Sequence, residues 1–241
     1  MWRVGTVLAL HDETAMARTI TLTVPGWPGH LAGQHVDVRL TATDGYSAVR
    51  SYSIASAPNH ENRVEITVER LPDGEVSPYL TQQVAVTDRL ELRGPIGSWF
   101  VWRLQQTEPV QLVAGGSGIV PLMAMVRSHA SADSAAAFRL LYSVREPAAA
   151  LYHDELQTLS SRDSSVTLSY TRATPPGWTR PPGRIDAALI AGTTWPARLG
   201  PTCYVCGPTS FVENAASLLT ACGHRPDRIR TERFGPTGER K

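Results

Sequence analysis

The stretch Arg50-Ser51-Tyr52-Ser53-Ile54-Ala55-Ser56 gathers a cation, an aromatic ring and three hydroxyls on one short segment. If residues alternate there as in a strand, Arg50 and Tyr52 share one face and Ser51 and Ser53 the other. Such a face suits a flat aromatic ligand with a phosphate tail. Tyr52 would cover the ring, Arg50 would hold the phosphate, and Ser53 would offer donors near the ring's heteroatoms. An ordinary half-buried strand with a surface arginine reads equally well from these residues alone.

Three further stretches carry phosphate-binding chemistry. Gly115-Gly116-Ser117-Gly118-Ile119-Val120-Pro121 falls between an apolar run and a helical pattern. Glycines there tolerate positive φ and close ligand approach, and the helix start offers free amides and a positive dipole end. Pro121 falls in the first helical turn, where a missing donor is harmless. The pattern departs from G-x-G-x-x-G because proline stands at the last glycine, and a plain tight turn is the alternative. In Asp73-Gly74-Glu75-Val76-Ser77-Pro78, Ser77 is expected to cap a helix opened by Pro78. Gly74 would let the amides of Glu75, Val76 and Ser77 converge on an anion, although a simple capped helix also accounts for them. Cys203-Tyr204-Val205-Cys206-Gly207-Pro208 leads to a Ser210/Glu213 capping box and places Cys206 at the C-terminal end of a strand. Ligands of open α/β sheets bind at that edge.

The elements that position these groups change character near residue 105. Before it, short runs (19–24, 34–40, 49–55, 64–70, 89–93) alternate between turns such as Pro25-Gly26 and Pro72-Asp73-Gly74, the pattern of an antiparallel sandwich or barrel. After it, apolar runs at 110–114, 138–144, 166–171, 185–191 and 203–205 interleave with helical patterns at 119–129, 149–159 and 211–222, which argues for a parallel sheet with helices on both faces. Two domains are expected, residues 1–104 and 108–241.

Composition excludes several function classes. With 23 basic against 22 acidic residues in 241, there is no electrostatic case for nucleic acid or a membrane surface. The longest uncharged run, 110–126, is too short and too rich in glycine to span a bilayer. No signal peptide is visible, and three cysteines cannot all pair, so a reduced cytoplasmic protein is expected. Cys203, Cys206, Cys222 and His224 count out as a zinc set, but an intervening helix of about 20 Å would hold Cys222 away from Cys206, so no metal site is expected.

Taken together, these motifs resemble the ferredoxin–NADP reductase superfamily, and most closely the reductase modules that serve oxygenases. Arg50-Ser51-Tyr52-Ser53 matches its R-x-Y-S motif, and Asp73 to Ser77 resembles its pyrophosphate motif with Asp73 in place of a glycine. Gly94 to Phe100 is similar to its barrel-closing turn, Gly116 to Pro121 to its nicotinamide-dinucleotide loop, and Cys206-Gly207-Pro208-x-x-Phe211 to the motif beside the reacting ring.

The resemblance implies an antiparallel barrel holding FAD and a Rossmann-like domain holding NAD(P)H. Arg50 and Ser51, together with Val68 and the amides of Glu75, Val76 and Ser77, would belong to the FAD site. Tyr52 would stack on the isoalloxazine and Ser53 would lie near N5. Gly116, Ser117, Gly118, Pro121, Cys206, Gly207, Pro208 and Phe211 would hold the nicotinamide nucleotide. Glu232 would relay a proton and Phe234 shield the flavin's open face, unless both simply belong to a last core strand. Arg145, Thr171 and Arg172 would favour the 2′-phosphate of NADPH over NADH, although Glu146 suits a free 2′-hydroxyl. No four-cysteine pattern for a [2Fe–2S] cluster is present, so electrons would leave FAD for a separate acceptor such as a ferredoxin. Arg225, Arg228, Arg230 and Arg233 form either its docking patch or a solvated loop. A monomer is expected. A flavin, ferric or dye reductase and a redox-sensing module without turnover are the competing functions.

Overall fold

The computed structural model describes residues 1–58, 61–132, 134–160 and 165–235. They divide into two units, Met1–Gln105 with Val120–Ser134, and Gln106–Ile119 with Ala135–Lys241.

Six antiparallel strands build the first unit: β1 (Trp2–Thr14), β2 (Ala17–Thr23), β3 (His35–Thr41), β4 (Ser47–Ser53), β5 (Arg63–Glu69) and β6 (Arg89–Ile96). Their order is β4-β3-β6-β1-β2-β5. A bridge between Ile54 and Ile66, with the Ala55 amide donating to Glu65 O, brings the two edge strands together at one end, so the sheet is barrel-like but not closed. Period-2 patterning fills the interior, with Val36 and Val38 from β3, Val64, Ile66 and Val68 from β5, and Leu90 and Leu92 from β6.

Strand β1 escaped the sequence reading. Irregularities between Val7 and Ala9 and between Asp12 and Thr14 break its alternation, and Val4 and Leu8 are exposed while Val7 is buried. Helix α1 (Ser77–Gln82) corrects one expectation. Its N-cap is Val76, and Ser77 lies inside the first turn, its hydroxyl accepting instead from the Leu71 amide at 3.0 Å.

In the second unit the strands are β7 (Val110–Gly115), β8 (Phe138–Val144), β9 (Ser165–Tyr170), β10 (Thr202–Pro208) and β11 (Ile229–Phe234). They are parallel, in the order β11-β10-β7-β8-β9. β7 is buried along its whole length, as a central parallel strand must be. A three-residue turn, Gly116–Gly118, joins β7 to helix α2 (Ile119–Ala130), which from Val120 onward groups with the first unit. Helices α3 (His153–Ser160), α4 (Ala187–Thr193) and α5 (Thr209–Ala221) complete the connections. The apolar run at 185–191 is mostly α4, started by the Asp186 carboxylate accepting from the Leu189 amide at 2.8 Å. The Ser210/Glu213 capping box does not form. α5 begins at Thr209 behind Pro208 with no side-chain cap, and Glu213 pairs with Arg233.

No helix among the described residues is long and apolar enough to cross a membrane.

Candidate functional site

In the first unit, Arg50, Ser51, Tyr52 and Ser53 occupy the end of edge strand β4. Arg50 is half-exposed and donates to Val49 O and to Glu75, both at 2.8 Å. Tyr52 is half-buried against the barrel core, and burial pushes its phenol well above the ordinary value, so it stays neutral. The Ser51 hydroxyl donates to the Asp37 carboxylate at 2.6 Å, and the other oxygen of Asp37 accepts from Arg93. Ser51 is therefore tied to strands β3 and β6, leaving its backbone for a ligand. Val68 is fully buried in the core and pairs with Arg18 in the ladder to β2, so its side chain is not offered to a ligand.

Two features support this stretch from behind. Trp27 Nε1 donates to His30 Nδ1 at 3.2 Å, which makes Nε2 the protonated nitrogen facing Ser56 O at 3.1 Å. Arg127 Nη1 donates to Ala55 O at 2.8 Å. The Ser56 hydroxyl is occupied too, accepting from the Glu65 amide.

The loop expected to bind phosphate lies before α1. Gly74 turns tightly there: an added Cβ would lie 3.0 Å from Ser77 Oγ and 3.1 Å from Leu71 O. Among the described residues, no acceptor engages the amides of Glu75, Val76 and Ser77. Free donors beside an arginine are the chemistry a flavin phosphate requires, so the residues present fit FAD.

In the second unit, two loops at the carboxyl ends of β7 and β10 lock into each other. A Cβ on Gly118 would lie 2.2 Å from Cys206 O, and one on Gly115 2.6 Å from the Phe211 ring. One on Gly207 would meet Phe211 at 2.7 Å and the Gly115 backbone at 3.2 Å. Phe211 thus packs beneath both loops as a strut. Gly116 is different: it has φ +54° and nothing within 4 Å of an added Cβ, which leaves the outer side of the turn open. Ser117 is half-buried beside it and Pro121 is buried in the first turn of α2. A backbone this open on one side and this compressed on the other fits the pyrophosphate of a nicotinamide nucleotide.

Cys206 pairs in register with Glu232, and Pro208 with Phe234. Burial, and secondarily the neighbouring Glu232, push the Cys206 thiol well above its usual range, and burial raises Glu232 to about 7. Phe234 is the last, partly exposed residue of the edge strand. At the next strand ends, the Thr171 amide donates to Val144 O and the Arg172 amide to Arg145 O, each at 2.9 Å, which joins the backbones of Arg145 and Arg172; both side chains are exposed.

The suspected docking arginines are largely committed. Arg225 pairs with Asp227, Arg228 with Glu108 and Arg233 with Glu213, while Arg230 lies over the Tyr204 ring. All three cysteines are free, and Cys203 Sγ lies 3.6 Å from His224 Nδ1.

The family model described as an oxidoreductase FAD-binding domain matches residues 14–101, and that of an oxidoreductase NAD-binding domain matches residues 112–217. The chain thus combines an FAD-binding and an NAD-binding oxidoreductase domain. It is 31% identical over 209 residues to the glycine betaine monooxygenase reductase subunit of Chromohalobacter salexigens, covering 85% of this chain and 56% of that protein. It is also 27% identical over 236 residues to the ferredoxin–NAD(P)+ reductase component of the naphthalene 1,2-dioxygenase/salicylate 5-hydroxylase systems of a Ralstonia species, covering 97% and 69%. The flavohem-like FAD/NAD-binding domain of nitric oxide dioxygenase from Vibrio cholerae shares the fold, with a TM-score of 0.85 at 24% identity, covering 97% of this chain and 99% of that one. The chain thus spans just over half the length of the first of these relatives.

Two residues of this reductase-like chain went unread in the sequence. Tyr46 donates to Glu75 at 3.0 Å, and only the turn Asp44-Gly45 before it hinted at a position near β4. Asp37 was legible as an acid between the apolar Val36 and Val38, the mark of a carboxylate held on a sheet face by a partner.

Proposed function

We propose that this chain oxidises NADPH and delivers the electrons one at a time to a separate acceptor, such as a ferredoxin or another small redox protein. FAD, when bound, supplies the hydride acceptor and the conversion from two-electron to one-electron chemistry. The FAD role is assigned to residues 1–104 and the nucleotide role to 108–241.

One observation carries the reading: a single chain holds both a set of free amides beside Arg50 and an interlocked glycine loop with Cys206 at a parallel-sheet edge. In the first unit Arg50 and the amides of Glu75, Val76 and Ser77 bind phosphate, Tyr52 presents a neutral ring and Ser53 a hydrogen-bond donor. In the second, Ser117 and Cys206 orient the nicotinamide, Glu232 holds a proton at its carboxyl, and Phe234 shields. None of these groups is asked for strong acid or base catalysis, because hydride transfer depends on stacking and exclusion of water. The adjacency of Arg145 and Arg172 favours NADPH, whose 2′-phosphate two guanidiniums clamp well. The two relatives are named as reductase components of oxygenase systems, which supports a separate protein acceptor, and the cytoplasm, where NADPH is made, is the setting assigned. Pairing of the C-terminal arginines favours a second reading, in which free flavin, a ferric complex or a dye takes the electrons instead.

An anaerobic titration tests the core claim. The purified protein should be yellow, and NADPH should bleach the flavin band. A colourless protein that takes up no added FAD would sink the proposal. Joint replacement Arg145→Ala and Arg172→Ala should weaken NADPH by about tenfold or more and spare NADH. Equal loss for both coenzymes would remove the clamp.

A further inference from the structure

Arg50 has two claimants. Its Nη2 donates to Glu75 Oε2 at 2.8 Å, and Tyr46 OH donates to Glu75 Oε1 at 3.0 Å. Tyr46 lies in the turn between β3 and β4, so a turn residue and a strand residue both donate to the one carboxylate of Glu75. The phenol of Tyr46 is held above its ordinary value because it donates a hydrogen bond to that carboxylate. Arg50 and Glu75 are each about half-exposed, at 52% and 51%.

This geometry is unfavourable for an anion site in one respect. On the reading proposed above, the Arg50 guanidinium and the Glu75 amide serve the same pyrophosphate. The Glu75 carboxylate is then a negative charge among groups aimed at negative charge, and it occupies part of the fork that a phosphate would use. The Tyr46 hydroxyl tethers it there. We propose that Glu75 is a competitor for Arg50 built into the flavin phosphate site, held in place by Tyr46, and that it sets FAD affinity below what the site could otherwise reach. The inference rests on the FAD reading and goes beyond it by giving Glu75 a role opposed to that of its own amide.

The test is a titration of the flavin-depleted protein with FAD, followed by flavin fluorescence at low and high salt. Glu75→Gln keeps the shape and removes the charge. It should bind FAD about two- to fivefold more tightly, the factor that corresponds to a half-exposed ion pair. Tyr46→Phe, which only loosens the tether, should shift affinity in the same direction by less. Both gains should shrink at high salt, as a loss of packing would not. Arg50→Ala should weaken FAD and abolish the benefit of Glu75→Gln. Unchanged or weaker binding by Glu75→Gln overturns the proposal, since the carboxylate would then be neutral or a ligand of the cofactor. Should the unaltered chain take up no FAD at all, the FAD reading itself falls, and the wild-type arm alone shows it.

Discussion

Gly118→Ala isolates the packing of the two nucleotide-side loops. The Cβ it introduces would sit 2.2 Å from Cys206 O, 2.4 Å from its carbonyl carbon and 2.7 Å from the Gly207 amide nitrogen. Ordinary carbon–oxygen contacts run near 3.3 Å, so something must yield by about 1 Å. All three obstacles are backbone, and no rotamer change relieves them. The strand end from Cys206 to Gly207 must move away from the turn, against its ladders to β7 and β11. Overpacking of this kind costs about 1–3 kcal/mol. A displacement of about 1 Å at a positioning loop can cost on the order of a hundredfold in rate. Gly116→Ala is the internal control: its Cβ meets nothing, and only the left-handed φ of +54° is penalised, at about 1–2 kcal/mol. The assay is anaerobic stopped-flow bleaching of the flavin by NADPH, with flavin content and melting temperature measured alongside. Gly118→Ala should retain FAD yet reduce it about a hundredfold more slowly at limiting NADPH, while Gly116→Ala loses far less. If Gly118→Ala reduces at the normal rate, or Gly116→Ala proves the worse of the two, the interlocked-loop argument is wrong.

Glu232, raised to about 7 by burial, binds a proton in the folded chain that it would release when unfolded between its ordinary pH range near 4.5 and 7. Folding stability should therefore fall as pH rises through that window, by up to about 3 kcal/mol. Chemical denaturation across pH should show this slope in the native chain and not in Glu232→Gln; the same slope in both would assign it elsewhere. Asp37→Ala leaves Ser51 and Arg93 without their shared carboxylate and should lower stability by about 2 kcal/mol in urea denaturation. A change within experimental scatter would mean that water replaces both bonds.

The regular elements were legible because their apolar residues repeat cleanly. Phe138–Val144 is a strand over the very residues read from sequence, and Val64, Ile66 and Val68 mark the inner face of β5. β1 was hidden because its irregular register removes the alternation by which strands are recognised. Cap residues failed for a different reason. Ser77 and Ser210 have the right chemistry, but Pro78 follows the one directly and Pro208 stands two residues before the other, and these prolines fix the backbone at the helix starts. Once the backbone is fixed there, the serine sits inside the first turn, where its hydroxyl finds another donor or none. At the site, the types and order of residues were readable, whereas their partners were not. Nothing in the local sequence says that Ser51 is bound to Asp37, fourteen residues away, or that Glu75 reaches Arg50, twenty-five residues away.

That distinction bears on how the nucleotide side works. Cys206 and Glu232 are the two groups with evident reactivity at the ends of β10 and β11, and they are register partners. Burial keeps the thiol protonated and brings the carboxyl close to neutrality. On the proposed reading, a thiolate there would be a nucleophile beside an electrophilic oxidised nicotinamide. The thiol therefore stays uncharged, while the Glu232 carboxyl, at about 7, is ionised only in part at neutral pH; glycines, a proline and Phe211 pack compactly around them. For a reaction that moves a hydride between stacked rings, a site that offers shape without a strong acid or base is chemically sufficient. The close fit of the two loops then rests on Gly118, whose missing side chain admits the Cys206 backbone, and on Gly207, whose missing side chain admits Phe211 and the Gly115 backbone, and not on the reactivity of the Cys206 sulfur.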